Sequence, residues 1–258
     1  MLEVSGLRKV HGADPSGRPA VADLSFEVGE REFVSVLGSS GCGKTTMLRC
    51  LSGLEPPTAG EVRLHGTPVT GPPREMAFVF QDYSRSLFPW MTVERNVSFP
   101  LRHKGESKRD AGKATEEALD AVGLGGRGGA YPWQLSGGMQ QRVAIARALA
   151  YRPRILLMDE PFASVDAQTR AELEDLLLAI WQRYETTVLF VTHDIDEAVY
   201  LADRVLVLRP PAHVGLTVEV DLPRPRDQLA TKAHPDFGRL RAELFAALQG
   251  ESAPAGAA

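Results

Sequence analysis

The run Phe33-Val34-Ser35-Val36-Leu37 reads as a short, largely apolar strand. It passes directly into Gly38-Ser39-Ser40-Gly41-Cys42-Gly43-Lys44-Thr45, and then into the helix-like stretch Lys44–Gly53. No other feature limits the fold as sharply. Strand, loop and helix follow the order that G-x-x-x-x-G-K-[ST] requires. The glycines let backbone N–H groups, continued through Thr46, wrap an anion. Lys44 supplies a cation for β/γ oxygens, and Thr45 a hydroxyl for Mg²⁺. Alone, this loop implies a nucleotide binder and nothing narrower.

The rest of the chain supports an α/β reading. Leu2–Leu7, Val21–Val28, Val62–Leu64 and Met76–Phe80 have strand character, and Gly53 with Pro56-Pro57 stops the first helix. Gly12 to Pro19 reads as a loop. From about 82 to 150 the character turns helical, through Val93–Leu101, Asp110–Val122 and Met139–Ala150, as an inserted helical subdomain would. Strands and helices then alternate: Ile155–Met158, Gln168–Tyr184, Val188–Val191, Ile195–Ala202 and Val205–Leu208. That alternation predicts a parallel sheet covered by helices. Beyond Pro210 the chain reads as a looser tail, with a strand at Leu216–Leu222, a helix at Phe237–Leu248 and a frayed end at Glu251–Ala258.

Composition narrows the partners. A net charge of −4 gives no electrostatic case for nucleic acid. No window has the length and apolarity of a membrane span, and Met1–Lys9 is mixed and strand-like rather than a leader. A cytoplasmic setting follows, with any membrane link made by a partner. Cys42 and Cys50, if both lie on the loop-to-helix segment, are about 12 Å apart at the helical rise. That separation excludes a disulfide and suits a reduced compartment.

Two further motifs carry chemistry. In Leu135-Ser136-Gly137-Gly138-Met139-Gln140-Gln141-Arg142, two glycines follow a serine just ahead of a helix. Such a backbone approaches a phosphate closely, although Ser136 also fits an ordinary helix cap. Ile155-Leu156-Leu157-Met158-Asp159-Glu160 is an apolar strand ending in two carboxylates, where open α/β sheets place ligands. Asp159 suits Mg²⁺ and Glu160 suits the general base. An acidic pair ahead of a helix starting at Pro161 is the alternative.

Loop, signature run and carboxylate strand, in this arrangement, resemble the ATPase subunit of ABC transporters. The resemblance covers about Leu2 to Arg226. It implies a P-loop NTPase core with a mixed, mainly parallel sheet, an N-terminal antiparallel β subdomain and the helical subdomain at about 82–150. One ATPase domain over 1–226 is followed by a terminal helix and tail over 227–258. It implies that Gln81 senses Mg²⁺ and the attacking water and that His193 contacts the γ-phosphate. Ser164-Val165-Asp166 would meet a second subunit, while Asp166 equally fits an N-cap. His11 takes the place of the usual adenine-stacking aromatic, with less ring area than tyrosine. Two copies would sandwich two ATP molecules, with Ser136, Gly137 and Gly138 acting in trans. The chain then works peripherally on the inner face of the membrane, with a transmembrane permease and an extracytoplasmic solute-binding protein. The texture of Gln81–Trp90 and Met158–Ser164 is similar to importers of nitrate, sulfonate and taurine. Tyr83, Leu87, Phe88, Pro89 and Trp90 either pack the subdomain or form a groove for a permease helix. The rival class is a soluble ABC-type ATPase that moves no solute. Such relatives carry coiled-coil inserts or fused cassettes, and this sequence shows neither.

Overall fold

Apolar residues alternate along the first strands, and the structure, a computed structural model, buries them on one face. It describes residues 1–12, 17–82 and 86–250. Two units are formed, Met1–Pro73 with Thr187–Ala258, and Arg74–Thr186.

In the first unit, β1 (Leu2–Val10) pairs antiparallel with β2 (Pro19–Val28). β3 (Phe33–Leu37) is buried along its whole length and leads to α1 (Lys44–Leu51). β4 (Ala59–Leu64) and β5 (Thr67–Pro68) complete the antiparallel sheet, in the order β2-β1-β4-β5. The register of β1 on β4 shifts between Ser5 and Arg8. Gly60 makes that shift possible: at φ 77° a Cβ there would lie 2.1 Å from the Gly6 carbonyl oxygen.

The second unit begins with β6 (Met76–Val79), which later pairs in parallel with β7 (Ile155–Asp159). Helices lie between them. The predicted Val93–Leu101 helix is divided: α2 (Val93–Ser98) stops at Phe99, and α3 (Leu101–Lys104) starts after Pro100. Phe99 keeps helical backbone at φ −54° and ψ −49°, but Pro100 has no N–H to continue the hydrogen-bond ladder, which accounts for the break. α4 (Lys108–Ala121) starts two residues before the predicted Asp110, because the Ser107 hydroxyl accepts the Asp110 N–H and caps it. α5 (Gly137–Ala150) and α6 (Ala167–Tyr184) are capped by Ser136 and Asp166.

The chain then returns to the first unit through β8 (Thr187–Thr192), α7 (Ile195–Leu201), β9 (Arg204–Arg209), β10 (His213–Glu219) and α8 (Pro235–Gln249). β3 lies between β8 and β9, parallel to both, and β10 runs antiparallel to β9. This is a mixed sheet with α/β connections, the P-loop NTPase architecture the sequence predicts.

The tail after Pro210 is not loose. β10 starts three residues earlier than predicted, drawn to its pairing with β9. Arg224 donates to Asp203 Oδ1 at 2.7 Å and to the Leu201 carbonyl at 2.9 Å, and Arg226 donates to the Ala202 carbonyl at 3.1 Å. Burial, then the neighbouring Arg224, pushes Arg226 down to about 10. Phe237, Leu240 and Leu244 form the buried face of α8. The frayed end expected at Glu251–Ala258 lies outside the described residues, as do 13–16 of the expected loop.

Asn96 holds the loop ahead of α2. Its side chain is fully buried; it accepts the Phe88 N–H at 2.8 Å and donates to the carbonyls of Phe88, Met91 and Thr92 at 3.1–3.2 Å. Replacing it takes this partner from the Phe88 N–H and the Met91 carbonyl, whereas the Phe88 and Thr92 carbonyls keep the N–H groups of Met91 and Asn96; each group left unsatisfied costs about 1–3 kcal/mol. Asn96→Ala is expected to lower unfolding free energy by about 2–3 kcal/mol, read by urea denaturation.

Candidate functional site

The phosphate loop is shaped by glycine. Gly43 sits at φ 106°, and a Cβ there would fall 2.2 Å from the Ala20 carbonyl oxygen, so only glycine fits. Gly41 is also left-handed, at φ 77°. Lys44, 5% exposed, donates to the carbonyls of Gly38 at 2.6 Å and Ser39 at 2.9 Å. The ammonium is thus held over its own loop by carbonyls, which phosphate oxygens are chemically equipped to replace. Thr45 and Thr46 occupy the first turn of α1. His11, exposed at the end of β1, places Nε2 3.3 Å from Thr46 Oγ1, beside the helix that carries the loop.

The carboxylates lie in the other unit. β7 is buried throughout and ends at Asp159, itself 3% exposed. Glu160 follows in left-handed backbone at φ 42°. A non-glycine residue held there is strained, as functional positions often are. The β6–β7 register pairs Val79 with Met158. Two residues further, that register brings Gln81 level with Glu160, and Gln81 Nε2 donates to Glu160 Oε2 at 3.1 Å. The structure therefore joins two residues that the sequence singles out for the hydrolytic step.

The signature run is more helical than its sequence suggests. Gly137 and Gly138 form the first turn of α5, and the Ser136 hydroxyl accepts the Met139 N–H at 3.3 Å. A Cβ on Gly138 would meet Thr169 Cγ2 at 2.6 Å. Thr169 is in turn tied to Asp166, donating its N–H at 3.0 Å and its hydroxyl at 2.7 Å. These bonds hold the Asp166 carboxyl below the usual carboxylate range. The signature turn thereby packs closely against the helix start that Asp166 caps. In the first unit, His193 is exposed in the turn between β8 and α7, at the C-terminal end of the parallel strand β8.

The model of the family described as ABC transporter matches residues 21–163. The chain belongs to the ABC transporter family. A nitrate import ATP-binding protein of Synechocystis is 41% identical over 255 residues, covering 96% of this chain and 95% of that protein. A bicarbonate transport ATP-binding protein from the same organism is 44% identical over 249 residues; they cover 95% of this chain but 37% of the relative. Among solved structures, a dimeric post-hydrolysis state of an ATP-binding cassette, bound to ADP and Pi, superposes with TM-score 0.75 at 33% identity, covering 85% of this chain and 99% of that one. The protein is an ABC-class ATP-binding subunit and ATPase. Among its described residues, no helix is long and apolar enough to cross a membrane.

One element of this ABC subunit is only partly legible in the sequence. Within the second unit lies an apolar groove of about 730 Å³, lined among others by Met76, Phe78, Phe80, Phe88 and Phe99. Phe78 and Phe80 rings lie 4.4 Å apart, and Phe88 and Phe99 rings 4.8 Å. Arg147 closes one wall; it donates to Ser86 O at 2.6 Å and Oγ at 2.8 Å, and burial pulls its guanidinium below its usual range. The aromatic cluster predicted from Tyr83 to Trp90 divides by role. Leu87 joins the core at 2% exposure, Phe88 lines the groove, and Trp90 lies outside it, its ring tilted at 46° to that of Phe88 with centroids 5.5 Å apart. Tyr83 lies outside the described residues. The aromatics of β6 and Phe99 come from strand and helix alternation, so no local cluster in the sequence announces them.

The cysteines differ from a simple reading of the loop. Proximity to Lys44 and a helix start suggests a reactive Cys42. In the structure both cysteines are buried, Cys42 at 2% and Cys50 at 1% exposure. The Cys42 sulfur lies where a Cβ on Gly38 would come within 2.9 Å of it, and the Cys42 N–H is bonded to the Ser39 carbonyl at 3.3 Å. Burial pushes the Cys50 thiol up to about 11. Stability therefore gates alkylation at both positions. Mass-spectrometric mapping at pH 8 is expected to show neither cysteine modified in the folded protein, and both modified after denaturation; fast labelling of Cys50 in folded protein contradicts its raised value.

Proposed function

We propose that this ABC ATPase powers import of a small oxyanion, such as nitrate or a sulfonate, through a permease whose cytoplasmic helix docks in the groove beside β6. The observation that carries the reading is the shared strand. Met76 and Phe78 of β6 and Phe80 just beyond it line the groove, and Gln81 follows, bonded to Glu160. A change at the hydrolytic residue is thus one residue away from the apolar surface. Aromatics are frequent anchors for helix-in-groove contacts. The nitrate import relative supports the solute class, and the bicarbonate relative widens it to small anions in general.

Roles follow from chemistry. Lys44 and the N–H groups from Gly38 to Thr46 bind the phosphates, and His11 offers a ring to adenine. Glu160 accepts a proton from the attacking water, Gln81 orients that water, and His193 contacts the γ-phosphate. The Thr45 hydroxyl, the Asp159 carboxylate and the Gln81 amide oxygen are each oxygen donors of the kind hard cations take. Among the described residues no group of three His, Cys, Asp or Glu side chains forms a metal site. Mg²⁺ bound with the nucleotide would neutralise phosphoryl charge. Ser136, Gly137 and Gly138 bind the ATP of a second, identical copy; the dimeric structural relative supports the pairing of two cassettes. The working location is the inner face of the membrane, with a solute-binding protein delivering the anion outside.

Two experiments test this. Glu160→Gln is expected to retain ATP binding, to lower turnover by roughly 10²–10⁴-fold, and to accumulate an ATP-bound dimer on gel filtration; near-normal turnover removes Glu160 from the base role. Phe88→Ala and Phe80→Ala are expected to leave nucleotide affinity of the subunit unchanged while abolishing permease co-purification or uncoupling hydrolysis from anion uptake. Normal coupled uptake in both variants sinks the groove assignment.

A further inference from the structure

Glu197 is a carboxylate at 4% exposure that none of these roles uses. It stands at the third position of α7, whose N-cap is Asp194. An acidic residue there normally reaches back to the N–H of the cap residue. Here that N–H is taken: Asp194 N donates to Thr192 Oγ1 at 3.0 Å. Glu197 turns instead to the hydroxyl of Thr192, which donates to Glu197 Oε2 at 2.5 Å. Thr192 is buried at 2% exposure. Asp194 Oδ1 then accepts the N–H of Asp196 at 2.8 Å and of Glu197 at 3.2 Å.

Four hydrogen bonds thus lock the residues on either side of His193, leaving His193 exposed in the turn. Capping of α7 does not need Glu197, because Asp194 already takes the free N–H groups. Burying a carboxylate is costly unless its partners repay it. What this carboxylate adds is a fixed orientation for the Thr192 hydroxyl, and with it the backbone on which His193 stands.

We propose that Glu197, acting through Thr192, is a positioning residue for His193: it sets the turn that aims the imidazole at the γ-phosphate. The inference rests on the role given to His193 above. A misplacement of about 1 Å at a reacting group costs on the order of 10²-fold in rate, so the bond matters even though it touches no nucleotide.

The test is a double-mutant cycle on the full chain, with ATPase turnover and ATP affinity both measured. Glu197→Ala is expected to lower kcat about 10–100-fold while leaving affinity within about twofold, because the phosphate loop is untouched. Glu197→Gln keeps an acceptor oxygen and is expected to recover most of the turnover. Thr192→Val is expected to match Glu197→Ala, and Thr192→Ser to stay near the parent. In a His193→Ala background, Glu197→Ala is expected to add no further loss, since both changes act through one imidazole. Independent, multiplying losses in that background overturn the proposal, as does normal turnover in folded Glu197→Ala. If Glu197→Ala fails to fold, the Thr192→Val cycle with His193→Ala decides the same question. Normal turnover in His193→Ala alone overturns the underlying role of His193 instead.

Discussion

A buried ammonium governs the first unit. Lys44 is almost fully enclosed, and an unpaired cation there is very costly. The Gly38 and Ser39 carbonyls meet that demand, which requires the loop to curl back over its own helix start. The curl in turn needs left-handed backbone at Gly41 and Gly43, and room for Gly43 against the Ala20 carbonyl on β2. The antiparallel sheet is therefore part of the phosphate site, because one of its carbonyls fixes which residue the loop tolerates. A loop built around a cation and open N–H groups is already arranged for anionic oxygens.

The second unit answers a different demand. β7 is buried end to end, so its polar chemistry is confined to its last residue and the one beyond. Parallel pairing with β6 then decides which side chain stands opposite. The register selects Gln81 for Glu160, whose carboxylate accepts the Gln81 amide N–H from left-handed backbone at φ 42°. Strand pairing, rather than any contact local in sequence, assembles these two groups across 79 positions of chain.

Much of this was readable from the chain. Phosphate loop, carboxylate strand and signature run each pair a rigid element with a glycine or acidic terminus, and such junctions leave local signals. Helix limits were less legible where capping decided them, as at Ser107 for α4 and at Ser136, whose cap draws both glycines into α5. The break at Pro100 had a local signal, the missing proline N–H, which a single helix over Val93–Leu101 passes over. Cys42 misled because nearest neighbours in sequence say nothing of burial: its sulfur turns under Gly38, away from solvent. The Thr192–Glu197 bond was silent for the opposite reason. A threonine ending a strand and a glutamate opening a helix are each ordinary, and only the tight turn around His193 brings them together.

Contact between Gly138 and Thr169 has a mechanical consequence. Thr169 is stapled to Asp166, and Gly138 follows the cap residue Ser136, so the starts of two helices share one rigid corner. A molecule pressing on either start displaces both. Whatever engages this corner is met by a single stiff surface and not by two loops that adapt separately.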